Sequence, residues 1–356
     1  MPTAPVDQNG TVLYFEDSGA PSSSDDYTTV MILHGAIFHC GTFRPVFPYA
    51  SRNNLRIVLI NWRDYPESTP YSDAELERMR GPLDAQAAAL AAHGVEFQNF
   101  IVWFVKTHQT PPIKANKDGS LSGGVAFAAW SAGNLQCIAL LAHADKASTK
   151  TRALLDIHLR TLIVYSPNHT AIGAPAHPKL YSPFRDGTLS PAQKEAAFLP
   201  WICAYYTGVD LASDGAASEK AILAREKLDI KPTHERMTPE ELAGILDTRE
   251  KPQTAVPLEF LNPLAFQDVV RRGLFDCASA GAPQPVWPRV RVRVVWPAMD
   301  VDDVLWTAEL LRRQAEDAKK SANIGREVDV VRIDDMNHFG HWDAPEKFVE
   351  FLANVV

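Results

Sequence analysis

Six stretches of the chain are apolar at successive or nearly successive positions. Val30–Leu33 runs into His34-Gly35, and Arg56–Ile60 stops at Asn61. Gly124–Ala129, Thr161–Tyr165, Val290–Trp296 and Val328–Ile333 have the same character. Unbroken apolar runs suit strands buried on both faces, the habit of a parallel sheet covered by helices. Thr11–Glu16, entered through the turn pair Asn9-Gly10, predicts one more strand near the start. Helical periodicity occupies the intervals: about 73–109, with alanine-rich Gln86–Ala92 at its centre, then Gly133–Leu141, Asp303–Lys319 and Pro345–Val355. Strands alternating with helices predict an α/β fold with a mostly parallel central sheet flanked by helices.

The alternation breaks between about 171 and 263. That stretch holds no convincing strand, only short amphipathic helices punctuated by Pro and Gly, and it reads as a helical cap inserted after the sixth strand. The expected division is a core of residues 1–170 and 263–356 with a cap, or lid, of residues 171–262. Proline has the same address, since 15 of the 26 lie between Pro167 and Pro297. The 356 residues are 46% apolar and 22% charged, ordinary for a globular chain and too apolar for a disordered one. A net charge of −8 gives no counterion-release drive toward nucleic acid and opposes anionic membranes. No apolar run reaches the ~18 residues of a membrane span. The opening MPTAPVDQNG lacks the basic and apolar regions of a secretory leader. The expectation is a cytoplasmic protein with no nucleic-acid or membrane partner. Cys40, Cys137, Cys203 and Cys277 form no CxxC pair, which favours small buried or half-buried thiols over a metal site or a disulfide framework. Arg271-Arg272 and Lys319-Lys320 read as solvated charge pairs.

The most informative segment is Ala129-Trp130-Ser131-Ala132-Gly133. A serine on a sharp turn from buried strand to helix projects its hydroxyl above the sheet edge, and small neighbours let that crowded turn form. A helix N-cap serine is the competing reading. Context favours chemistry, because a serine hydroxyl needs a histidine to take its proton and a carboxylate to orient that histidine. Asp300 follows the next-to-last strand, and His338 follows the last. Parallel strands bring their C-terminal ends to one edge, so the three side chains can converge there. Asp302 and Asp303 remain rivals for the acid, and His341 for the base.

On these residues the chain resembles the α/β-hydrolase superfamily over nearly its whole length. Asn9–Gly19 is similar to the family's DGxxLxYxxxG opening, and Leu33-His34-Gly35 to its His-Gly turn. Asn61–Ser68 resembles its D-x-R-G-x-G-x-S loop, with Asp64 and Pro66 departing from glycine. Pro345-Glu346 follows His338 at the spacing of the family's G-H-x6-P-E ending, which favours His338 over His341. The acid position favours Asp300 in the same way. Ala129 stands for the first glycine of G-x-S-x-G. Trp130 replaces a polar residue and is expected to reshape the pocket floor. Asn134 replaces a glycine, with an expected effect on helix packing alone.

The resemblance implies a triad of Ser131, Asp300 and His338. It also implies an oxyanion hole from the backbone N–H groups of Ala132 and Ala36, with Ile37 the alternative to Ala36. A cap in this superfamily roofs the active site, so Tyr181, Phe184, Phe198, Trp201, Tyr205 and Tyr206 are candidates for an apolar pocket. Trp130, Tyr65, Trp201 and Tyr205 are the pocket residues taken forward. The activity implied is that of a serine hydrolase, without metal or organic cofactor, on a small hydrophobic ester or lactone. Serine in place of aspartate argues against dehalogenase and epoxide hydrolase chemistry. Two rivals stand beside it: a lactone-forming cyclase of a natural-product pathway using the same triad, and a non-catalytic ligand-binding member of the fold. A homo-oligomer is left open.

Overall fold

A computed structural model describes residues 2–211, 214–247, 261–277, 284–321 and 324–356. Each apolar run forms a strand of one eight-stranded sheet. The strands are β1 (Thr3–Pro5), β2 (Val12–Asp17), β3 (Thr28–Leu33), β4 (Leu55–Ile60), β5 (Val125–Trp130), β6 (Leu159–Tyr165), β7 (Arg291–Pro297) and β8 (Val328–Ile333). Their order across the sheet is β1-β2-β4-β3-β5-β6-β7-β8. All pairs from β4 to β8 are parallel, while β1 and β2 run antiparallel at one edge. Every residue of β3, β4, β5 and β6 is buried, which is why those runs are continuous rather than alternating. β2 alternates, with Leu13 and Phe15 turned inward. β8 has one open side and tolerates Asp329 and Arg332, charges that blunt an exposed edge.

The helical stretch near 73–109 is two helices. α1 (Asp73–Arg80) starts at a capping box between Ser72 and Glu75 and ends at Gly81. Gly81, extended at φ −74° and ψ −169°, precedes Pro82, and the residue before a proline is pushed out of the helical region; α2 (Leu83–His108) starts just after that proline. α2 crosses α3 (Asn134–Ala142) at close range: a β-carbon on Gly94 would lie 2.4 Å from the Ala139 carbonyl oxygen. α4 (Thr149–His158) begins at the Ser148 cap. β1 and α4 are among the elements that escaped the sequence pattern, as is the short antiparallel pair Lys114–Ala115 and Leu121–Ser122; β1 has only three residues and owes its form to pairing with β2.

Between β6 and β7 the described residues carry α5 (Pro191–Ile202), α6 (Gly215–Leu223), a short helix at Pro239–Ala243, and α7 (Pro263–Val270), whose chain continues into a π turn at Arg271–Phe275. Pro191, Pro239 and Pro263 each occupy the first turn of a helix, where the missing N–H costs nothing. The proline excess is thus in part a set of helix starts. Residues 212–213 and 248–260 of the expected cap lie outside the described residues. The chain closes with α8 (Asp302–Lys320), β8 and α9 (Pro345–Val355). Cys40, Cys137 and Cys203 are buried free thiols and Cys277 is a half-buried one. Among the described residues no helix is long and apolar enough to cross a membrane.

Candidate active site

Ser131 stands at the C-terminal end of β5, in the left-handed region at φ +54°. For a residue with a β-carbon that conformation is strained, and it persists only where surroundings enforce it. Two features do so here. A β-carbon on Gly133 would sit 2.3 Å from the His34 carbonyl oxygen, so the turn closes only on glycine. The Asn134 amide donates to the carbonyls of Ser131 and Tyr165, both at 2.9 Å, and ties the turn to β6. Asn134 therefore does more than adjust helix packing, contrary to expectation. It satisfies two carbonyls at the end of the sheet.

The acid and base candidates meet at the same sheet edge. His338 Nδ1 lies 3.0 Å from both carboxylate oxygens of Asp300. Asp300 is fully buried, and its oxygens also accept from the Val301 N–H at 2.7 Å and the Ser166 hydroxyl at 2.8 Å. The rival acids are engaged elsewhere. Asp302 binds Arg225 at 2.6 Å, and Asp303 binds His169 Nδ1 at 2.7 Å. His341 is a core residue: it stacks on Phe43 at 3.9 Å and contacts Thr42 through Nε2. Burial, with the nearby His338 adding to it, pushes its pKa well below the ordinary value.

Ile37 N–H donates to the Tyr65 hydroxyl at 2.8 Å, so that amide is already engaged. Of the two oxyanion candidates from this loop, Ala36 keeps the better claim. The loop lies against Ser131, since a β-carbon on Gly35 would be 3.0 Å from the serine Cβ. Its far side pairs with residues 245–247: His39 N–H donates to Ile245 and Asp247 N–H to Ile37.

The four pocket candidates separate. Tyr65 and Trp130 are each 1% exposed. Tyr65 stacks on Trp62 at 5.5 Å. Trp130 donates from Nε1 to the His338 carbonyl at 3.1 Å and lies 4.8 Å from its ring. Tyr205 is also buried, with its hydroxyl donated to Asp343, a residue that accepts from Thr233 too. Trp201 remains half-buried and joins Phe198 and Phe184 in an aromatic row at 6.0 and 5.1 Å. Tyr181 and Phe184 are exposed.

Residues that sequence reasoning missed are the polar ones that hold these loops. Ser166 follows directly on the buried run of β6, a position that could have marked it. Asn337, beside His338, donates to the Cys203 carbonyl at 3.0 Å and the Thr233 hydroxyl at 2.9 Å. No local pattern announces that link. Among the described residues no group of three or more His, Cys, Asp or Glu side chains is gathered as metal ligands would be.

No protein-family model matches the sequence, and no curated protein does. Solved structures do match in fold. The delta mutant of DBJA superposes with a TM-score of 0.52 at 13% identity, covering 99% of this chain and 96% of that one. A point mutant of the Vigna radiata epoxide hydrolase gives 0.51 at 12%, covering 99% and 97%. A metagenomic epoxide hydrolase described as belonging to the alpha/beta hydrolases superfamily gives 0.45 at 16%, covering 98% and 95%. Such identities bear on fold alone. The chain has the α/β-hydrolase fold.

Proposed function

We propose that this chain is a serine hydrolase that cleaves a carboxylic ester or lactone with a hydrophobic acyl or alcohol part, through an acyl-enzyme on Ser131. The observation that carries the reading is the grip of the buried Asp300 carboxylate on His338 Nδ1, in a loop that Trp130 binds one residue before the serine. A carboxylate only accepts, so the imidazole proton belongs on Nδ1 and Nε2 keeps its lone pair. That is the tautomer a general base requires.

In the proposed reaction, His338 Nε2 takes the Ser131 hydroxyl proton as the serine oxygen attacks the substrate carbonyl. The N–H groups of Ala36 and Ala132 receive the charge that develops on the carbonyl oxygen, a contribution of about 3–4 kcal/mol per donor. His338 then gives its proton to the leaving alkoxide, and the acyl group stays on Ser131. Water, deprotonated by His338, attacks the acyl-enzyme, and His338 returns that proton to the Ser131 oxygen as the acid leaves. Asp300 steadies the imidazolium in both halves. The aromatic row of Phe184, Phe198 and Trp201 supports an apolar substrate part.

The test is labelling by a fluorophosphonate together with turnover of p-nitrophenyl esters of graded chain length and a panel of lactones. Wild type should label and show a burst of the first product, while Ser131→Ala should do neither. Full activity in Ser131→Ala would overturn the mechanism. Product mass separates hydrolysis, which adds water, from ring closure, which does not.

A further inference from the structure

We propose that Arg225 is a positioning residue for the acid of the triad: its guanidinium, borne by the segment between β6 and β7, fixes the turn carrying Asp300 by binding the main-chain carbonyls of Ala298 and Asp300. This rests on the triad reading above and adds a residue to it.

The backbone of residues 298–300 leaves β7 with its polar groups divided between two neighbours. Two amides face the β8 side: Ala298 N–H donates to Ile333 and Met299 N–H to Met336, both at 2.9 Å. The carbonyls face the other way. Met299 accepts from Tyr206 N–H at 3.1 Å, while Ala298 and Asp300 accept from Arg225 Nη2 at 3.0 and 2.8 Å. One fork of one side chain therefore supplies donors on both sides of the turn. Buried carbonyls without a donor are disfavoured, so a different turn geometry would be adopted if the fork were lost.

Arg225 is itself held rigidly. Its side chain is fully buried, its Nε donates to Thr207 at 2.6 Å, and its Nη1 donates to Asp302 at 2.6 Å. The chain around it is pinned as well, since Thr207 N–H donates to Glu226 and Tyr206 bridges to Lys227. Burial draws Arg225 below its ordinary pKa and raises Asp302 above its own, and each opposes the shift of the other. Asp302 is in this arrangement a counterion to Arg225, which explains an acid so close to the triad that does not touch the imidazole. The planar guanidinium serves three carbonyls and a carboxylate from three nitrogens at once; an ammonium has three donors on one nitrogen and cannot reach all four.

The geometry predicts a loss in turnover rather than in substrate binding. A displacement of about 1 Å in a positioning contact lowers the chemical rate roughly 100-fold. Arg225→Lys should therefore lose roughly that factor in kcat on p-nitrophenyl butyrate and in the fluorophosphonate labelling rate, with KM changed less than about three-fold. Asp302→Asn leaves both carbonyl contacts in place and should stay within about five-fold of wild type. Circular dichroism confirms folding of each variant, and Arg225→Gln takes the place of a Lys variant that does not fold. A folded Arg225 variant with kcat within two-fold of wild type overturns the proposal, and so does an Asp302→Asn loss beyond about twenty-fold. Should neither Arg225 variant fold, the Asp302→Asn arm decides alone by the same limits. Ser131→Ala run in parallel keeps the two readings apart. An active Ser131→Ala overturns the triad, whereas an inactive Ser131→Ala beside a fully active Arg225→Lys overturns this proposal only.

Discussion

The indole N–H of Trp130 donates to the main-chain carbonyl of His338 at 3.1 Å, joining the residue before the proposed nucleophile to the proposed base. The two are 208 positions apart, and the bond is wholly buried. Trp130 also packs edge-on against Phe43 and Phe339 and lies near Phe38, so its ring is locked by neighbours. Trp130→Phe keeps most of that packing but leaves a buried carbonyl without its donor. A stability loss of about 1–3 kcal/mol is expected, with kcat lowered roughly ten-fold and KM little changed. Denaturant unfolding and steady-state kinetics on one preparation check both parts; unchanged stability would mean the bond contributes nothing.

Ser166 donates its hydroxyl to Asp300 Oδ2 at 2.8 Å. Hydrogen bonds to a charged group contribute about 1.5–3 kcal/mol, and this one also limits rotation of the carboxylate. Ser166→Ala should lower kcat/KM by roughly 10- to 100-fold, the range for losing a partner that orients a functional ligand. Ser166→Thr, which retains a hydroxyl, should recover part of that loss. Equal losses in the two variants would point to packing as the cause.

Ile37 is a β-branched residue at φ +72°, exposed to 39%, with its N–H and C=O both engaged in backbone-fixing bonds. The left-handed conformation costs an L-residue about 1–2 kcal/mol, and asparagine adopts it more readily. Ile37→Asn should therefore change stability by less than about 1 kcal/mol, because the strain it relieves is offset by the apolar surface that the part-covered isoleucine buries. Thermal unfolding measures it. A lower Tm would show that the isoleucine side chain contributes more than its strain costs.

The buried histidines set a pH dependence, His93 and His143 alongside the His341 already described. Burial draws both His93 and His143 down to about 4. His93 faces Arg63, Glu75 and Arg78, while His143 faces Arg272, Asp145, Asp268 and Lys146. Both stay neutral in the fold but charge in the unfolded chain, whose histidines titrate near 6.5. The unfolded state therefore binds more protons between pH 6.5 and 4, and stability falls as pH drops through that window. Each histidine accounts for up to about 3 kcal/mol. Glu96, raised to about 7 by burial despite Arg63, acts with the opposite sign: it removes stability as pH rises from about 4.5 to 7. Unfolding at pH 7 and pH 5 should show a smaller difference for His93→Gln and for His143→Gln than for wild type. An unchanged difference in both variants would exclude these histidines as its source.

The strands were legible because full burial writes itself into composition. β3, β4, β5 and β6 have no solvent face, so their residues are mostly apolar, with polar residues only near the strand starts at Thr28, Thr29, Arg56, Arg160 and Thr161. β1 was not legible: three residues, held in place by pairing with β2, carry no period. Among three nearby acids, spacing favoured Asp300 but left Asp302 and Asp303 open, for a related reason. The three share a few positions of chain, yet the end of β7 and the start of α8 turn them toward His338, Arg225 and His169 respectively.

The sequence by itself determined the alternation of strand and helix, the turn at Ser131 and the order of serine, acid and histidine along the chain. These follow from side-chain periodicity and from residue types that act over a few positions. Only the tertiary structure decided the partners of each aromatic side chain: the Tyr65 hydroxyl meets the Ile37 N–H, and the Trp130 indole meets the His338 carbonyl. It also decided that Asn134, Ser166, Asn337 and Arg225 hold the loops. Those bonds join segments that touch only after the sheet has assembled, and a hydrogen bond between distant positions leaves no local pattern to read.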